Sequence, residues 1–142
     1  MTKLSVNIDV DDLEKGVAFY GAAVGLTPVR RFGAGAVELA GAEVPVYLLR
    51  KGPSTPPFPG AGARRDYGRH WTPVHVDFLV DDVEQALRRA VGAGARAESD
   101  VESYGWGRMA LVSDPFGNGF CLIQLDARGY EAMATPYAPA EK

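Results

Sequence analysis

Apolar and polar residues alternate in two separate stretches of the chain. In residues 4–10, leucine, valine and isoleucine occupy the even positions, and serine, asparagine and aspartate the odd ones. In residues 74–80, valine and phenylalanine occupy the even positions, and histidine, aspartate and leucine the odd ones. A period of two is typical of β-strands that have one apolar face and one more polar face. We therefore predict two strands, each packing its apolar face against helices.

A helix is predicted directly after each strand, because each strand ends in a pair of aspartates. Asp11 or Asp12 can cap the first helix, and Glu14 follows Asp11 at the spacing of a capping box. Asp81 and Glu84 repeat that spacing at the second helix. Apolar residues then recur at helical spacing in both segments, which predicts one buried stripe on each helix.

Glycines mark the expected helix ends, at Gly25 in the first helix and at Gly92 or Gly94 in the second. After each helix the pattern returns to short apolar runs that predict three strands. These strands are predicted near residues 27–32, 35–40 and 44–50 in the first half, and near residues 95–102, 106–113 and 118–125 in the second.

The two halves also share sequence. Residues 5–14 align without a gap on residues 75–84, with five identities in ten positions. The identical pairs are Val6/Val76, Val10/Val80, Asp11/Asp81, Asp12/Asp82 and Glu14/Glu84. Two unrelated strand–helix junctions with the same chemical needs would be the alternative explanation, but the extent of the match favours an internal repeat.

The repeat predicts the fold class and the organisation of the chain. We expect an α+β protein made of two tandem βαβββ modules. Residues 1–142 would form a single domain. Its modules would span residues 3–50 and 72–126, joined by a connecting loop over 51–71 and followed by a tail over 127–142.

Composition narrows the setting. The 142 residues carry a formal net charge of −3, which disfavours nucleic-acid binding. Cys121 is the only cysteine, a count that suits a reducing compartment. No apolar run is long enough for a signal peptide or a membrane span. We therefore expect a cytoplasmic protein whose partners include neither nucleic acid nor membrane.

Three segments together give a family resemblance. They are Val10-Asp11-Asp12-Leu13, the segment 75–83, and the turn Asp114-Pro115-Phe116-Gly117-Asn118. In this order the chain resembles the vicinal oxygen chelate superfamily, which includes glyoxalases, bleomycin-resistance proteins, fosfomycin-resistance enzymes and extradiol dioxygenases. The resemblance implies a ligand cleft lined by the concave faces of the sheets, and a homodimer.

The resemblance also implies where a metal would be bound in the metal-using members. The ligand positions on the first strands fall on Ser5 and His75, and those on the last strands fall near Tyr47 and on Cys121. Serine and tyrosine are poor substitutes for histidine and glutamate as ligands. We therefore expect a member without a catalytic metal. The alternative is a divalent metal ion with His75 as its main ligand, assisted by Cys121, or by Glu43 or Asp77 in a different register.

The predicted ligand-binding residues lie on the polar strand faces and beside the later strands. They are Ser5, Asn7, Asp9, Tyr47, His75, Asp77, Trp106, Arg108 and Cys121. His75 is the candidate catalytic residue, as a general base or a hydrogen-bond donor, although a lone strand histidine is as often structural. Cys121 fits a small buried residue better than a nucleophile, which would need a neighbouring cation or base.

The connecting loop contains a basic and aromatic run, residues 64–71. Such a run is usually a solvated segment, but it could instead form a lid over an anionic or aromatic ligand. Arg69 or Arg108 would then pair with the charge of that ligand. Trp106, between two glycines, would offer an aromatic surface to a flat ligand.

Three functions follow. The first is a small-molecule-binding protein, for a partly aromatic ligand, of which drug sequestration and antibiotic resistance are the most specific form. The second is a metal-dependent lyase, isomerase or dioxygenase that acts on a carbonyl or dihydroxylated substrate. The third is a regulatory or accessory domain with a vestigial cleft. Metal content and ligand screening distinguish the three.

Overall fold

Two units of similar topology follow each other in the computed structural model, which describes residues 1–139. The first unit contains β1 (Val6–Val10), α1 (Leu13–Val24), β2 (Thr27–Phe32), β3 (Ala36–Ala40) and β4 (Val46–Arg50). The second contains β5 (Val76–Leu79), α2 (Val83–Ala93), β6 (Arg96–Ala97), β7 (Glu102–Tyr104), β8 (Gly107–Ser113) and β9 (Gly119–Leu125). A short 3-10 helix follows at Gly129–Ala132. The predicted α+β class is confirmed.

Each unit builds its own mixed sheet. The first sheet has the order β1-β4-β3-β2, and in the second β5, β9 and β8 are neighbours while β6 and β7 both pair with β8. In each sheet the first and last strands of the unit pair in parallel, and the other pairs are antiparallel. The parallel pair sets Asn7 opposite Tyr47 in the first sheet and Asp77 opposite Cys121 in the second.

Each helix is capped by the second aspartate of its pair, so it begins one residue later than a capping box on the first aspartate would require. Asp12 and Asp82 are the N-caps, and their carboxylates accept hydrogen bonds from the amides of Lys15 and Gln85. Glu14 and Glu84 therefore do not close capping boxes. Each instead pairs with an arginine of its own sheet, at Arg31 and Arg108. The helices end at Gly25 and Gly94, both in the left-handed conformation that glycine adopts without strain.

Even-numbered residues of β1, β4, β5, β8 and β9, together with Val37 and Leu39 of β3, form the core between sheets and helices. The helix α1 contributes Phe19 and Tyr20, whose rings meet edge to face at 4.9 Å. Phe120 of β9 packs against both rings and against Phe78 of β5. Burial of aromatic side chains of this size is worth several kcal/mol, about 25 cal/mol for each Å² removed from water. The helices α1 and α2 also contact each other, which joins the two units.

One predicted strand is interrupted. The prediction of a single strand near 95–102 is wrong, because the structure contains β6 and β7 with a segment between them that belongs to neither strand. In that segment the hydroxyl of Ser99 accepts the amide hydrogen of Leu111, so a side chain replaces a strand–strand bond. The interruption leaves Glu98 free to turn toward the concave face of the second sheet.

Among residues 1–139, no helix is long and apolar enough to cross a bilayer.

Candidate functional site

A pocket of about 420 Å³ lies on the concave face of the second sheet. Its walls come from β5, β8 and β9, from the end of the connecting loop and from the 3-10 helix. Odd-numbered strand residues point into it because the even-numbered ones fill the core. The side chains that line it include Arg69, Trp71, His75, Asp77, Glu98, Trp106, Met109, Leu111, Cys121, Ile123 and Tyr130.

Three polar side chains meet at the floor of the pocket. Nε2 of His75 lies 3.1 Å from Oδ1 of Asp77, and Cys121 faces Asp77 from the adjacent strand. One donor atom from each of the three residues lies within 4.8 Å of the others. His75 and Asp77 remain accessible to a ligand, whereas Cys121 is only 5% exposed. The sequence-predicted residues His75, Asp77 and Cys121 are thus brought together.

The Cys121 side chain is a thiol rather than a thiolate. Burial, the negative charge of Asp77 and a hydrogen bond to that carboxylate together raise its pKa to about 11. A cysteine nucleophile requires the opposite shift. The proposed pairing with His75 therefore does not activate Cys121, because Asp77 stands beside both residues.

The same three residues suit one class of metal. An imidazole, a carboxylate and a sulfur are the ligand types of zinc, and three protein ligands leave a fourth position open, as in catalytic zinc sites. Donor atoms in a tetrahedral zinc site lie about 3.5 Å apart, so the side chains would have to close by roughly 1 Å. Hard ions such as Mg²⁺ or Mn²⁺ prefer oxygen ligands and do not fit a buried sulfur. The residues fit zinc, which would displace the thiol proton.

Aromatic rings form one wall. Trp106 stacks on Tyr104 with ring centroids 5.1 Å apart and an angle of 2° between the planes. The ring of Tyr130 lies 5.3 Å from the indole, with an angle of 46° between the planes. Met109, Leu111 and Ile123 extend this apolar surface toward the polar floor. The wall therefore combines a fixed flat surface with aliphatic contacts, as small-molecule sites do.

Arg69 and Glu98 close the opposite end. Nε and Nη2 of Arg69 donate to the two carboxylate oxygens of Glu98 at 2.6 and 2.9 Å. This hydrogen bonding lowers the pKa of Glu98 and raises that of Arg69. The guanidinium lies across Gly119, where an added Cβ would stand 2.5 Å from Nη2. Arg69, one of the two arginines predicted to pair with a ligand, is thus in the pocket but already holds a carboxylate.

The connecting loop, residues 51–71, is tied to the rest of the chain at several points, and we call it the strap. Arg65 donates to Asp9 of β1 at 2.8 Å and to the carbonyl of Pro56. The hydroxyl of Tyr67 donates to the carbonyl of Lys51, and burial raises its pKa. The strap contains no helix or strand, yet its last residues, Arg69 and Trp71, line the pocket. These contacts hold the strap in place, so it is not a freely moving lid.

The other predicted residues lie elsewhere. Asn7 and Tyr47 sit side by side on the concave face of the first sheet, near Phe32. Ser5 immediately precedes β1 and is exposed, and Asp9 is held by Arg65. None of these four lines the pocket of the second sheet. The expected single cleft shared by both modules is therefore replaced, within this chain, by a pocket on one sheet.

Arg108, the other arginine predicted to pair with a ligand, is not among the residues that line the pocket. Its guanidinium pairs with Glu84 on α2. Arg108 shares its strand face with Ala110 and Val112, which are fully buried in the core. Alternation along β8 fixes this orientation, because Met109 and Leu111 occupy the pocket side.

Several pocket residues were absent from the sequence prediction. Met109, Leu111 and Ile123 follow from the alternation of β8 and β9, so the pattern could have supplied them. Glu98 depends on the interruption between β6 and β7, and Tyr130 on the path of the tail. No sequence pattern signalled either of these.

The comparisons place the chain among the glyoxalase-like proteins. A fosfomycin resistance protein, FosX, from Listeria monocytogenes matches with a TM-score of 0.68 at 14% identity, over 90% of this chain and 96% of that one. The model of the family "Glyoxalase-like domain" matches residues 5–123. The chain belongs to this family, as its resemblance to the vicinal oxygen chelate superfamily implied.

Two further similarities concern antibiotics. TnmS3, described as an antibiotic binding protein from Streptomyces sp. CB03234, is 25% identical with a TM-score of 0.63, over 89% of this chain and 97% of that one. The anthracycline biosynthesis protein DnrV of Streptomyces peucetius is 32% identical over 131 residues, or 91% of this chain. The alignment covers only 43% of DnrV, so this chain spans less than half of that relative's length.

Proposed function

We propose that this protein binds a small, flat, partly aromatic molecule in the pocket of the second sheet. The observation that carries the proposal is the aromatic wall, in which Trp106 stacks on Tyr104 and lies tilted against Tyr130, in the same pocket as the polar floor. A ring system would lie against the indole, and its hydroxyl or carbonyl groups would contact His75 and Asp77. The similarity to TnmS3 and DnrV supports an antibiotic-like ligand, which would make sequestration or resistance its role.

In this proposal binding needs no metal. His75 and Asp77 are exposed to the pocket and carry free donor and acceptor capacity. The raised pKa of Cys121 keeps a neutral thiol on the floor, where it adds shape rather than charge. The ligand would therefore be recognised by stacking and by one or two hydrogen bonds.

Thermal shift and calorimetry against a panel of polycyclic quinones, catechols and glycopeptides test this proposal. Trp106→Ala should reduce the affinity for any hit by about 5- to 150-fold, since stacking on an aromatic side chain is worth about 1–3 kcal/mol. Phe58→Ala is the matched control, because Phe58 is an exposed aromatic outside the pocket. Equal losses in both variants would reject the pocket as the binding site. A panel without any hit would favour an accessory domain with a vestigial cleft.

A second function has its own observation, the clustering of His75, Asp77 and Cys121. With zinc bound there, the metal would polarise a carbonyl or activate a water, as expected of a lyase, isomerase or dioxygenase-like enzyme. Metal analysis of protein purified without chelator distinguishes the two functions. Stoichiometric zinc that is lost in both His75→Ala and Cys121→Ser would favour the enzyme. Zinc content unchanged by these variants would exclude this site.

We further propose that a homodimer completes the pocket. At the edge of the pocket Trp71 is 79% exposed, and Leu79 and Leu111 are exposed on the face of the second sheet that carries the pocket. The concave face of the first sheet, with Asn7 and Tyr47, is available on a second copy to cover them. Analytical ultracentrifugation should give twice the 15.2 kDa chain mass. A monomer at concentrations that bind ligand would contradict this arrangement.

A further inference from the structure

The pocket is lined by two carboxylates and one guanidinium. Within residues 1–139 these are the side chains of Asp77, Glu98 and Arg69, and no lysine lines the pocket. With the histidine counted as neutral, the lining carries one net negative charge. The charge that a ligand can carry therefore depends on which carboxylate is already compensated.

Glu98 is compensated, because Arg69 is committed to it. Nε and Nη2 of Arg69 donate to the two oxygens of Glu98, and Nη1 donates to the carbonyl of His70. A two-point pair of this kind is the strongest geometry between a guanidinium and a carboxylate. An anionic ligand would have to displace Glu98 before it could pair with Arg69.

Asp77 has no such partner. Its Oδ1 lies 3.1 Å from Nε2 of His75, and it accepts a weak hydrogen bond from the thiol of Cys121. Within residues 1–139 it forms no ion pair with an arginine or a lysine. The side chain is 38% exposed, and a carboxylate offers about four acceptor positions, so part of its capacity is open to the pocket.

A ligand that fills the pocket has to replace the water at this carboxylate. An ionised carboxylate only accepts hydrogen bonds, and one that loses water without gaining a donor is costly. A carbonyl or carboxylate on the ligand offers no donor, and a hydroxyl offers a neutral one. An ammonium group offers both a donor and the opposite charge. The faces of Trp71 and Trp106, which line the same pocket, would also attract a cation.

We propose that the ligand carries a protonated amine beside its ring system and that Asp77 is the residue that binds this amine. The inference rests on the proposed function, because the ring system would lie against Trp106. It narrows the ligand from flat aromatic molecules in general to cationic ones. Anionic aromatic molecules are disfavoured, since Asp77 repels them and Glu98 occupies Arg69.

Three anthracenes test this inference, because they share one ring system and carry an aminomethyl, a hydroxymethyl or a carboxylate group at the same carbon. At about pH 8 the amine is protonated and the acid is ionised. Binding is followed by the anisotropy of anthracene fluorescence in chelator-treated protein, so that no metal competes for Asp77. The amine should bind about tenfold more tightly than the alcohol, as expected for a charge-assisted hydrogen bond, and the carboxylate should bind most weakly.

The comparison in the natural chain separates the two levels of the account. Equal affinity for the amine and the alcohol would overturn the inference and leave the pocket function standing. Failure of all three compounds to bind would contradict the proposed function, and the inference with it.

Asp77→Asn should reduce the preference for the amine over the alcohol to less than about twofold, because the amide carries no charge. The affinity for the alcohol should change less than that for the amine, which separates lost selectivity from lost folding. Asp81→Asn is the matched control, since it removes the same charge from an exposed aspartate outside the pocket. An equal loss of preference in both variants would assign the effect to overall charge and overturn the role of Asp77.

Glu98→Gln provides the converse test. The substitution leaves the charge of Arg69 without its carboxylate, so the anthracene carboxylate should gain up to about fivefold in affinity, as expected for a partly exposed ion pair. An unchanged affinity for the carboxylate would contradict the account of Arg69 as already compensated.

Discussion

Asp77 lies opposite Cys121 in the parallel pairing of β5 and β9, and its carboxylate accepts a hydrogen bond from the thiol. In the first sheet the equivalent pair is Asn7 and Tyr47. The internal repeat has thus kept the geometry of this position while the chemistry diverged. The second sheet holds ionisable and soft groups, and the first holds an amide and a phenol.

Replacing Asp77 by Asn should make Cys121 more reactive. The substitution removes the negative charge beside the thiol, so the thiol pKa should fall below about 11, while burial keeps it above its ordinary value. Alkylation by iodoacetamide, followed against pH on chelator-treated protein, measures the change, and the single cysteine makes the assay specific. An unchanged alkylation profile would show that burial alone sets the thiol pKa.

Gly107 should tolerate no side chain. Its φ is +155°, and a Cβ would stand 2.2 Å from the carbonyl oxygen of Gln124 on β9. Gly107→Ala should lower the free energy of unfolding by more than about 2 kcal/mol, measured by urea denaturation. Gly105→Ala is the matched control, since its Cβ would meet only the flexible side chain of Met133, at 3.3 Å. Equal losses in the two variants would contradict this account of the backbone at Trp106.

Tyr20→Phe should destabilise the turn before β9. The Tyr20 hydroxyl donates to the buried carboxylate of Asp114, and burial, together with this carboxylate, raises the tyrosine pKa. Loss of the donor should cost about 1–3 kcal/mol of unfolding free energy, as for other buried groups left without a partner. Tyr104→Phe, at an exposed tyrosine, should cost almost nothing. A small loss in Tyr20→Phe would mean that the other donors to Asp114 suffice.

Acid should release the strap through Glu98. Arg69 lowers the pKa of Glu98, so the ionised pair contributes above the ordinary glutamate value of 4.5. The contribution is lost as pH falls through the lowered pKa. Hydrogen exchange near Arg69 should therefore rise at strongly acidic pH in the natural chain. In Glu98→Gln exchange should already be high at pH 6, and an unchanged acid profile in that variant would exclude the pair as the cause.

The fold was largely predictable because two local signals agreed. Strand alternation and paired aspartates placed β1, α1, β5 and α2, and the repeat between the halves fixed the order of the remaining strands. The break in the strand between Ala97 and Glu102 was not predicted. There the hydroxyl of Ser99 accepts a hydrogen bond from the amide of Leu111, which the apolar pattern would pair with the backbone of a neighbouring strand. A single side-chain hydrogen bond of this kind leaves no periodic trace.

The site was predictable only in part. His75, Asp77, Trp106 and Cys121 line the pocket, since strand parity and the glycines around the indole indicate their direction. Arg108 was assigned by analogy, although its parity along β8 already placed it beside the buried Ala110. Residues of the first sheet can contact a ligand in the pocket only if a second copy of the chain places them there. The packing of two chains is not encoded in the alternation of apolar and polar residues.

Fluorescence of Trp106 tests the central claim most directly. The chain has two tryptophans, so Trp71→Phe leaves the pocket indole as the only one. Titration of this variant with the planar aromatic panel should give saturable quenching by at least one compound. Quenching that stays linear with concentration for every compound, as for free tryptophan in solution, would contradict a stacking pocket.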